Sequence, residues 1–395
     1  MDKQNTVKFG DVKAHNQIEV LYHIYLSKEA GISQSVIAKK IGLSAPSVFR
    51  IFSFLEDKQI IIPAAIEKKD QKLIGRNPSK YCVNPNFLFT CAVEITNSFL
   101  ELQFLDFAQN CLKHISYNIA GKTTEELFEE ATALIENEII SLKLPREKFF
   151  GIGIAIPGII NSVSGTIINS ESERAIKNFA LAEKVKAKLN CNVVVRNNTA
   201  AASYYDYKYS DKYGKTLFSL LLRYSINGAV LDRGKIFRDS KNNNVDFGHI
   251  TVSTDGPKCV CGKTGCLQSF IDNIEGKFNP NIIAELEDLL LDDLPRLDTI
   301  TNKIVDYIIY IYENVFKIIN PDKYLILAKN EGIANIVNNK LKHKLIERYP
   351  QSKDNINRAF IAEAYSIDKC LKGVSELLLE SCFSLDTINS KFTVN

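Results

Sequence analysis

Three cysteines lie close together in the second half of the chain, at Cys259, Cys261 and Cys266, and His249 precedes the first of them by ten residues. Glycines between the thiols allow the backbone to turn tightly around one point. Three thiolates and one imidazole can enclose a tetrahedral Zn²⁺ ion, and a site with four protein ligands is usually structural. The spacing therefore predicts a structural zinc site, with a redox switch or a chance cluster of thiols as alternatives.

The first sixty residues have a helical pattern whose spacing indicates a second candidate site. Ala38, Gly42 and Val48 have the spacing of a helix-turn-helix, which needs a small residue, a tight turn and an apolar anchor at these places. The first turn of the second helix can then reach the major groove of DNA, where side chains contact base edges and phosphates. The predicted DNA contacts near the start of this helix are Ser44, Ala45, Ser47 and Arg50. A helical hairpin that packs or dimerises without DNA is the alternative.

Two strand-like runs after these helices enclose a charged stretch, which predicts a two-stranded wing. Basic side chains on the wing are placed to contact phosphates or an A·T-rich minor groove, and the candidates are Lys68, Lys69 and Arg76. Residues 1–85 hold 13 Lys/Arg and 8 Asp/Glu, so this part of the chain is the basic one. A solvated surface would show the same excess of positive charge without binding DNA.

The elements that must position these residues fall into separate units. From about residue 86 strand and helix signals alternate, which predicts an α/β domain. A chain of 395 residues, 45% of them hydrophobic, has room for two or three domains. No apolar run is long enough to cross a bilayer, and the first residues lack the apolar centre of a signal peptide. We therefore expect a cytoplasmic protein with reduced cysteines and no membrane contact.

Four motifs occur in the order in which the ROK (repressor, ORF, kinase) family has them. They are the winged helix-turn-helix, the strand and turn G-I-G-I-A-I-P-G at 151–158, D-F-G-H at 246–249 and the knuckle C-V-C-G-K-T-G-C at 259–266. The chain resembles this family over nearly its whole length. The resemblance implies a winged helix-turn-helix domain (α+β) over residues 1–85. It also implies an α/β actin-like sugar-kinase fold of two lobes over residues 86–395, with a zinc knuckle near 249–266.

The family resemblance also implies a function. ROK proteins with a winged helix are repressors that bind a double-stranded DNA operator and respond to a sugar, and they are commonly oligomers, so a homodimer or homotetramer is expected. The family positions that bind sugar hydroxyls match Asn197, Asn198, Asp246, His249 and Gln268. Two of the usual acidic residues in this set are amides here and Arg196 is adjacent, so the expected effector is a sugar or a sugar phosphate. A pocket that has lost its ligand is the alternative.

The matching positions lack the residue types that phosphoryl transfer needs. The family's two phosphate loops correspond to residues 94–99 and 223–227, and both have side chains where glycines would approach a phosphate. Asn198 stands where the kinases have the catalytic aspartate, and an amide cannot accept the proton of a sugar hydroxyl. We therefore expect neither ATP binding nor kinase activity. The alternatives are a kinase with an atypical nucleotide site and a regulator that is sequestered by a protein partner.

Overall fold

The computed structural model describes residues 9–65, 79–170 and 176–383. The first elements in chain order are α1 (Phe9–Leu26), β1 (Ile32–Ser33), α2 (Gln34–Ile41), α3 (Ala45–Asp57), β2 (Ile61–Pro63) and β3 (Lys80–Val83). The three strands form an antiparallel sheet in the order β1–β3–β2. Gly42 joins α2 to α3 in the left-handed region (φ 70°), which glycine adopts without strain. The helix-turn-helix and the strands of the wing are therefore present where the sequence predicts them.

A five-stranded sheet forms the centre of the first lobe. Its elements are β4 (Phe89–Ile95), β5 (Phe99–Asp106), β6 (Cys111–Asn118), α4 (Thr124–Ser141), β7 (Phe149–Ile156), β8 (Ile159–Asn161), β9 (Thr166–Ser170), β10 (Ile176–Phe179), α5 (Leu181–Leu189), β11 (Asn192–Asn197) and α6 (Asn198–Tyr209). The strand order of the large sheet is β11–β7–β4–β5–β6, and β8, β9 and β10 form a small sheet of their own. The helix α4 begins with a capping box between Thr123 and Glu126, which satisfies backbone N–H groups at its first turn.

A second five-stranded sheet forms the centre of the second lobe. Its elements are β12 (Thr216–Leu222), β13 (Ile226–Asp232), β14 (Lys235–Ile236), α7 (Leu267–Asp272), α8 (Ile282–Asp292), α9 (Leu294–Ile318), β15 (Lys323–Ala328), α10 (Glu331–Arg348), α11 (Lys353–Ala359), β16 (Phe360–Ala364) and α12 (Ile367–Leu379). The strand order is β14–β13–β12–β15–β16. In each large sheet the first three strands are antiparallel neighbours and the last two run parallel to the first. The two lobes therefore share one topology, as the actin-like fold requires.

The helix α12 follows the last strand of the second lobe but packs on the first lobe. A Cβ atom added to Gly153 of β7 would lie 2.7 Å from the carbonyl oxygen of Val374, so strand and helix are in backbone contact. The hydroxyls of Thr90 in β4 and Ser375 lie 2.8 Å apart. Where α12 crosses α6, a Cβ atom on Gly373 would lie 1.9 Å from the carbonyl oxygen of Ala201. Only glycine permits this crossing.

The unit formed by α1–α3 and β1–β3 shares an apolar core with the first lobe. Side chains of α1 and α3 belong to one buried cluster with Phe107, which follows β5, and with Leu378 and Leu379 at the end of α12. Burial of this surface fixes the unit on the lobe instead of leaving it on a free linker. Among the described residues, no helix has the length and apolar character that crossing a bilayer requires.

Candidate functional site

The four predicted metal ligands come together in the structure. Their ligand atoms all lie within 4.8 Å of one another. His249 Nδ1 is 3.3 Å from Cys259 Sγ, and the Sγ atoms of Cys261 and Cys266 are 3.6 Å apart. Four donor atoms at such separations can surround one ion whose bonds to sulfur are about 2.3 Å long. These residues could therefore hold a metal ion.

The ionisation of the three thiols supports the same conclusion. Burial raises the pKa of Cys259 to about 12 and also raises the pKa of Cys266. Burial opposes ionisation of Cys261 too, but hydrogen bonds from the backbone of Lys263 and from the neighbouring thiols lower the pKa of Cys261 below its ordinary value. Cys259 and Cys266 therefore favour the neutral thiol, and three adjacent thiolates would form here only with a bound cation to balance their charge.

The loop that carries these ligands is held mainly by turns. Two isolated β-bridges, Thr251 with Cys266 and Lys258 with Thr264, are its regular pairings. Gly265 has a φ of 74°, and a Cβ atom there would lie 1.8 Å from the carbonyl oxygen of Ser253. A side chain at this position would push the turn apart and displace the next residue, the ligand Cys266.

Two of the predicted effector residues begin α6. Asn197 caps this helix, because its Oδ1 accepts hydrogen bonds from the backbone N–H groups of Thr199 (2.9 Å) and Ala200 (3.3 Å). Its Nδ2 donates to the carbonyl oxygen of Gly158 at 3.1 Å. Asn198 is buried, and its Oδ1 also accepts from the N–H of Thr199, at 3.0 Å. Both amides therefore fix the start of α6 at the end of β11.

The other three predicted effector residues belong to the second lobe. Asp246 Oδ1 accepts a hydrogen bond from the backbone N–H of His249 at 3.2 Å. Gln268, on the first turn of α7, accepts from the N–H of Ile226 at 2.8 Å and donates to Asp272 at 2.6 Å. The bond to Ile226 joins the end of the metal-ligand loop to β13.

Short contacts connect the two groups of effector candidates. The backbone N–H of Ile160 in the first lobe donates to Asn244 Oδ1 at 2.6 Å, and Asn244 lies two residues before Asp246. Ser162 donates from its hydroxyl to the carbonyl oxygen of Asn242 at 2.7 Å. Arg196 in turn donates from Nη1 to the carbonyl oxygen of Ser162 at 2.7 Å, while its Nε is buried with no hydrogen-bond partner among the described residues. Both groups therefore border the junction of the two lobes.

A buried ion pair connects the two segments that correspond to phosphate loops. Glu94 at the end of β4 and Arg223 just after β12 are joined by a contact of 2.5 Å between Oε1 and Nη1. The hydroxyl of Tyr365 donates to the same oxygen at 2.7 Å, and the Arg223 guanidinium lies 4.4 Å from the ring of Tyr365. Burial opposes the charge of Arg223, but Glu94, Tyr365 and Tyr224 hold its pKa above the ordinary value. A salt bridge thus joins the two lobes at this point.

The predicted DNA contacts on α3 lie on an open surface. Ser44, Ala45 and Arg50 are exposed and Ser47 is half-buried, whereas Val48, on the opposite face, is fully buried. The hydroxyls of Ser44 and Ser47 lie 2.9 Å apart, and Arg50 Nε donates to the carbonyl oxygen of Pro46 at 3.3 Å. The predicted wing contacts Lys68, Lys69 and Arg76 lie outside the described residues.

Sequence reasoning missed two buried carboxylates, Glu94 and Glu376. Both are fully buried, and each stands in a strongly apolar segment, F-T-C-A-V-E-I at 89–95 and S-E-L-L-L at 375–379. A carboxylate in such a segment is costly to bury unless a cation or several donors accompany it. That signal was present in the sequence, but it does not identify partners as distant along the chain as Arg223 and Lys28.

Comparison with known proteins agrees with this architecture. Residues 91–274 match the sequence model of the ROK family, and residues 23–62 match that of a winged helix-turn-helix DNA-binding domain. A xylose repressor from Caldicellulosiruptor bescii is 27% identical over 263 residues, which cover 66% of this chain and 64% of the repressor. The matched region is thus slightly less than two-thirds of that relative.

Two solved structures have the same fold. The crystal structure of a ROK family transcriptional regulator, a homologue of the E. coli Mlc protein, superimposes with a TM-score of 0.73 at 17% identity, covering 96% of this chain and 98% of that one. A ROK family glucokinase from Streptomyces griseus, in complex with glucose and AMPPNP, has a TM-score of 0.58 at 16% identity, covering 73% and 98%. The glucokinase matches a smaller share of this chain than the regulator does. The chain therefore contains a ROK family domain, and a winged helix-turn-helix domain precedes it.

Proposed function

We propose that this protein is a transcriptional repressor of carbohydrate-metabolism genes that binds a double-stranded DNA operator through α3 and the wing. The proposed boundary between the DNA-binding domain and the ROK domain lies near residue 85. The observation that carries the proposal is the exposed start of α3, where Ser44, Ala45 and Arg50 face solvent on a domain that is packed against the first lobe. The repressors among the similar proteins support it. As a homodimer or homotetramer, the protein would present two such helices to two half-sites.

We propose that a sugar or sugar phosphate binds between the lobes, at Asn197, Asn198, Asp246, His249 and Gln268. The position of these residues on both sides of the lobe junction supports this site. Arg196 next to them has a buried Nε without a hydrogen-bond partner among the described residues, which favours an effector with an anionic group.

We propose that the ion held by the cysteine loop is a structural Zn²⁺. Three sulfurs and one imidazole nitrogen are the soft and borderline donors that zinc prefers. Bound zinc would hold the loop from Asp246 to Gln268 in the shape that lets Asp246 and Gln268 border the lobe junction. Mass spectrometry under native conditions should find one zinc per chain, and Cys266→Ser should abolish it; a loop that binds no zinc in the wild type would contradict this assignment.

We propose that the protein is not a kinase. The Glu94–Arg223 pair joins the two segments that would have to receive ATP phosphates, and Asn198 offers no general base. Calorimetry with D-xylose, D-glucose and D-glucose 6-phosphate, with and without ATP, tests both statements. Binding of one of these sugars without ATP turnover is expected. Phosphorylation of any of them that Asn198→Ala abolishes would establish the kinase alternative.

The decisive experiment is selection of operator DNA from fragmented genomic DNA at about 150 mM salt, where non-specific binding to phosphates is weak. We expect the wild type to retain a few promoter fragments. Arg50→Ala should weaken binding to them by about 1–3 kcal/mol. Lys13→Ala, which removes an equal charge from an exposed position of α1, is the matched control and should retain the fragments.

Failure of the wild type to enrich any fragment, with or without the three sugars, would contradict the repressor assignment. It would favour a regulator that is sequestered by a protein partner.

A further inference from the structure

The carboxylate of Glu376 contacts both the DNA-binding domain and the first lobe. Its Oε1 lies 3.2 Å from Nζ of Lys28, which follows α1, and its Oε2 lies 3.0 Å from Nζ of Lys208, near the end of α6. The hydroxyl of Tyr209 donates to Oε1 at 2.5 Å. One buried side chain of α12 therefore binds a cation from each of the two units.

The helices α6 and α12 both extend from this cluster to the lobe junction. Asn198, a proposed effector residue, begins α6, and Lys208 lies ten residues later, about 15 Å along the helix. The Sγ atom of Cys370 on the first turn of α12 donates to the carbonyl oxygen of Asn198 at 3.7 Å. Tyr365, just before α12, contacts the Glu94–Arg223 pair. Both helices that meet at Glu376 therefore also contact residues at the lobe junction.

The two lysines share one carboxylate, but they differ in their exposure to water. The side chain of Lys208 is 5% exposed and that of Lys28 is 31% exposed. Burial lowers the pKa of Lys28, the positive charge of Lys208 lowers it further, and Glu376 offsets part of this effect. Lys28 also lies 4.1 Å from the centre of the Tyr209 ring, on the same helix end as Lys208. Lys28 is thus the partner that water can most readily replace when α6 moves.

We propose that Glu376 is a positioning residue through which the effector site controls the DNA-binding domain. A shift of α6 against α12 changes how the carboxylate is shared between Lys208 and Lys28, and this changes the docking of the helix-turn-helix on the first lobe. The proposal rests on the proposed function as a repressor with an effector between its lobes. It adds the contact that transmits the response.

The test compares operator affinity with and without effector in the full chain. The DNA is the fragment recovered by genomic selection, and the probe is whichever of D-xylose, D-glucose and D-glucose 6-phosphate shifts the wild type most. The measured quantity is the ratio of the two operator dissociation constants, which for coupled sites is commonly about 5- to 150-fold. The affinity for the sugar without DNA is measured in parallel.

Lys28→Met should bring this ratio close to one while the affinity for the sugar without DNA stays at the wild-type value. Lys28→Arg keeps the positive charge, so its ratio of operator dissociation constants should be close to that of the wild type. Lys212→Met is the matched control, because Lys212 lies outside the Glu376 cluster and binds Glu363 at 2.7 Å. It should leave the ratio unchanged.

A wild-type ratio in Lys28→Met would overturn the proposal, and so would an equal loss of sugar affinity without DNA, because that would indicate damage to the cleft. A wild type whose operator affinity no sugar changes would overturn the proposed effector response itself. A wild type that selects no DNA would overturn the repressor function.

Discussion

Glu94 and Glu376 are both fully buried carboxylates, yet their surroundings differ. The partners of Glu94, Arg223 and Tyr365, are themselves less than 10% exposed, so the pair has little contact with water. Glu376 has one buried partner, Lys208, and one that is about a third exposed, Lys28. The first cluster joins the two lobes, and the second joins the first lobe to the DNA-binding domain.

This difference separates a fixed contact from one that can change. A buried charge whose partner leaves is strongly destabilised, because nothing else in the interior neutralises it. A buried charge that has a second partner near water is destabilised less when one of its contacts breaks. The closed pair at the lobe junction is therefore suited to hold a shape, and the shared carboxylate is suited to transmit a movement.

The largest effect should follow from Arg223→Met. This change leaves Glu94 buried without a cation, and breaking such a pair costs about 3–5 kcal/mol of the free energy of unfolding. Urea unfolding followed by circular dichroism would measure it. The double variant Glu94→Gln/Arg223→Met removes both charges and should recover part of the loss. If Arg223→Met alone lowered the free energy of unfolding by less than about 1 kcal/mol, the Glu94 cluster would be no more fixed than the Glu376 cluster.

Lys208→Met should have the next largest effect. The side chain of Lys208 is nearly buried, but Glu376 keeps Lys28 and Tyr209, so we expect a loss of about 1–3 kcal/mol. The same unfolding measurement applies. The control is Lys212→Met, whose half-exposed ion pair with Glu363 should contribute less than about 1 kcal/mol. If Lys208→Met and Arg223→Met lowered the free energy of unfolding by the same amount, Glu376 would depend on a single cation as Glu94 does.

Acid should weaken the Glu376 cluster. Burial alone would raise the pKa of Glu376, but Lys208, Lys28 and the hydroxyl of Tyr209 lower it below its ordinary value. A lowered pKa contributes stability that is complete above the unfolded pKa and is lost as pH falls through the folded pKa. The difference in unfolding free energy between wild type and Glu376→Gln should therefore shrink as the pH falls below the ordinary glutamate pKa of about 4.3. A difference that grows on acidification would contradict the sign of this shift.

The smallest effect on stability should follow from Lys28→Met. Its ammonium group is partly solvated, so we expect a change in unfolding free energy of about 1 kcal/mol or less. The response of operator binding to sugar should nevertheless be lost. A large loss of stability would mean that Lys28 is a fixed part of the domain contact.

The sequence predicts the fold well and the contacts between units poorly. The strand at 149–156 and the helices of the helix-turn-helix follow from local patterns, and the metal-ligand cluster follows from spacing within a single loop. The Glu94–Arg223 pair joins residues of different lobes, and Lys28 and Glu376 are almost a whole chain apart. Periodicity and spacing describe neighbours along the chain, so they indicate that a buried charge needs a partner without identifying it.

The position of α12 also has a consequence for synthesis on the ribosome. This helix lies beneath β4 and β7, and its last residues, Leu378 and Leu379, complete the apolar core that α1 and α3 share with the first lobe. During translation, the strands of the first lobe and the helix-turn-helix emerge long before the helix that covers them. Their apolar surfaces therefore stay open to water or to chaperones until residues 367–379 have left the exit tunnel.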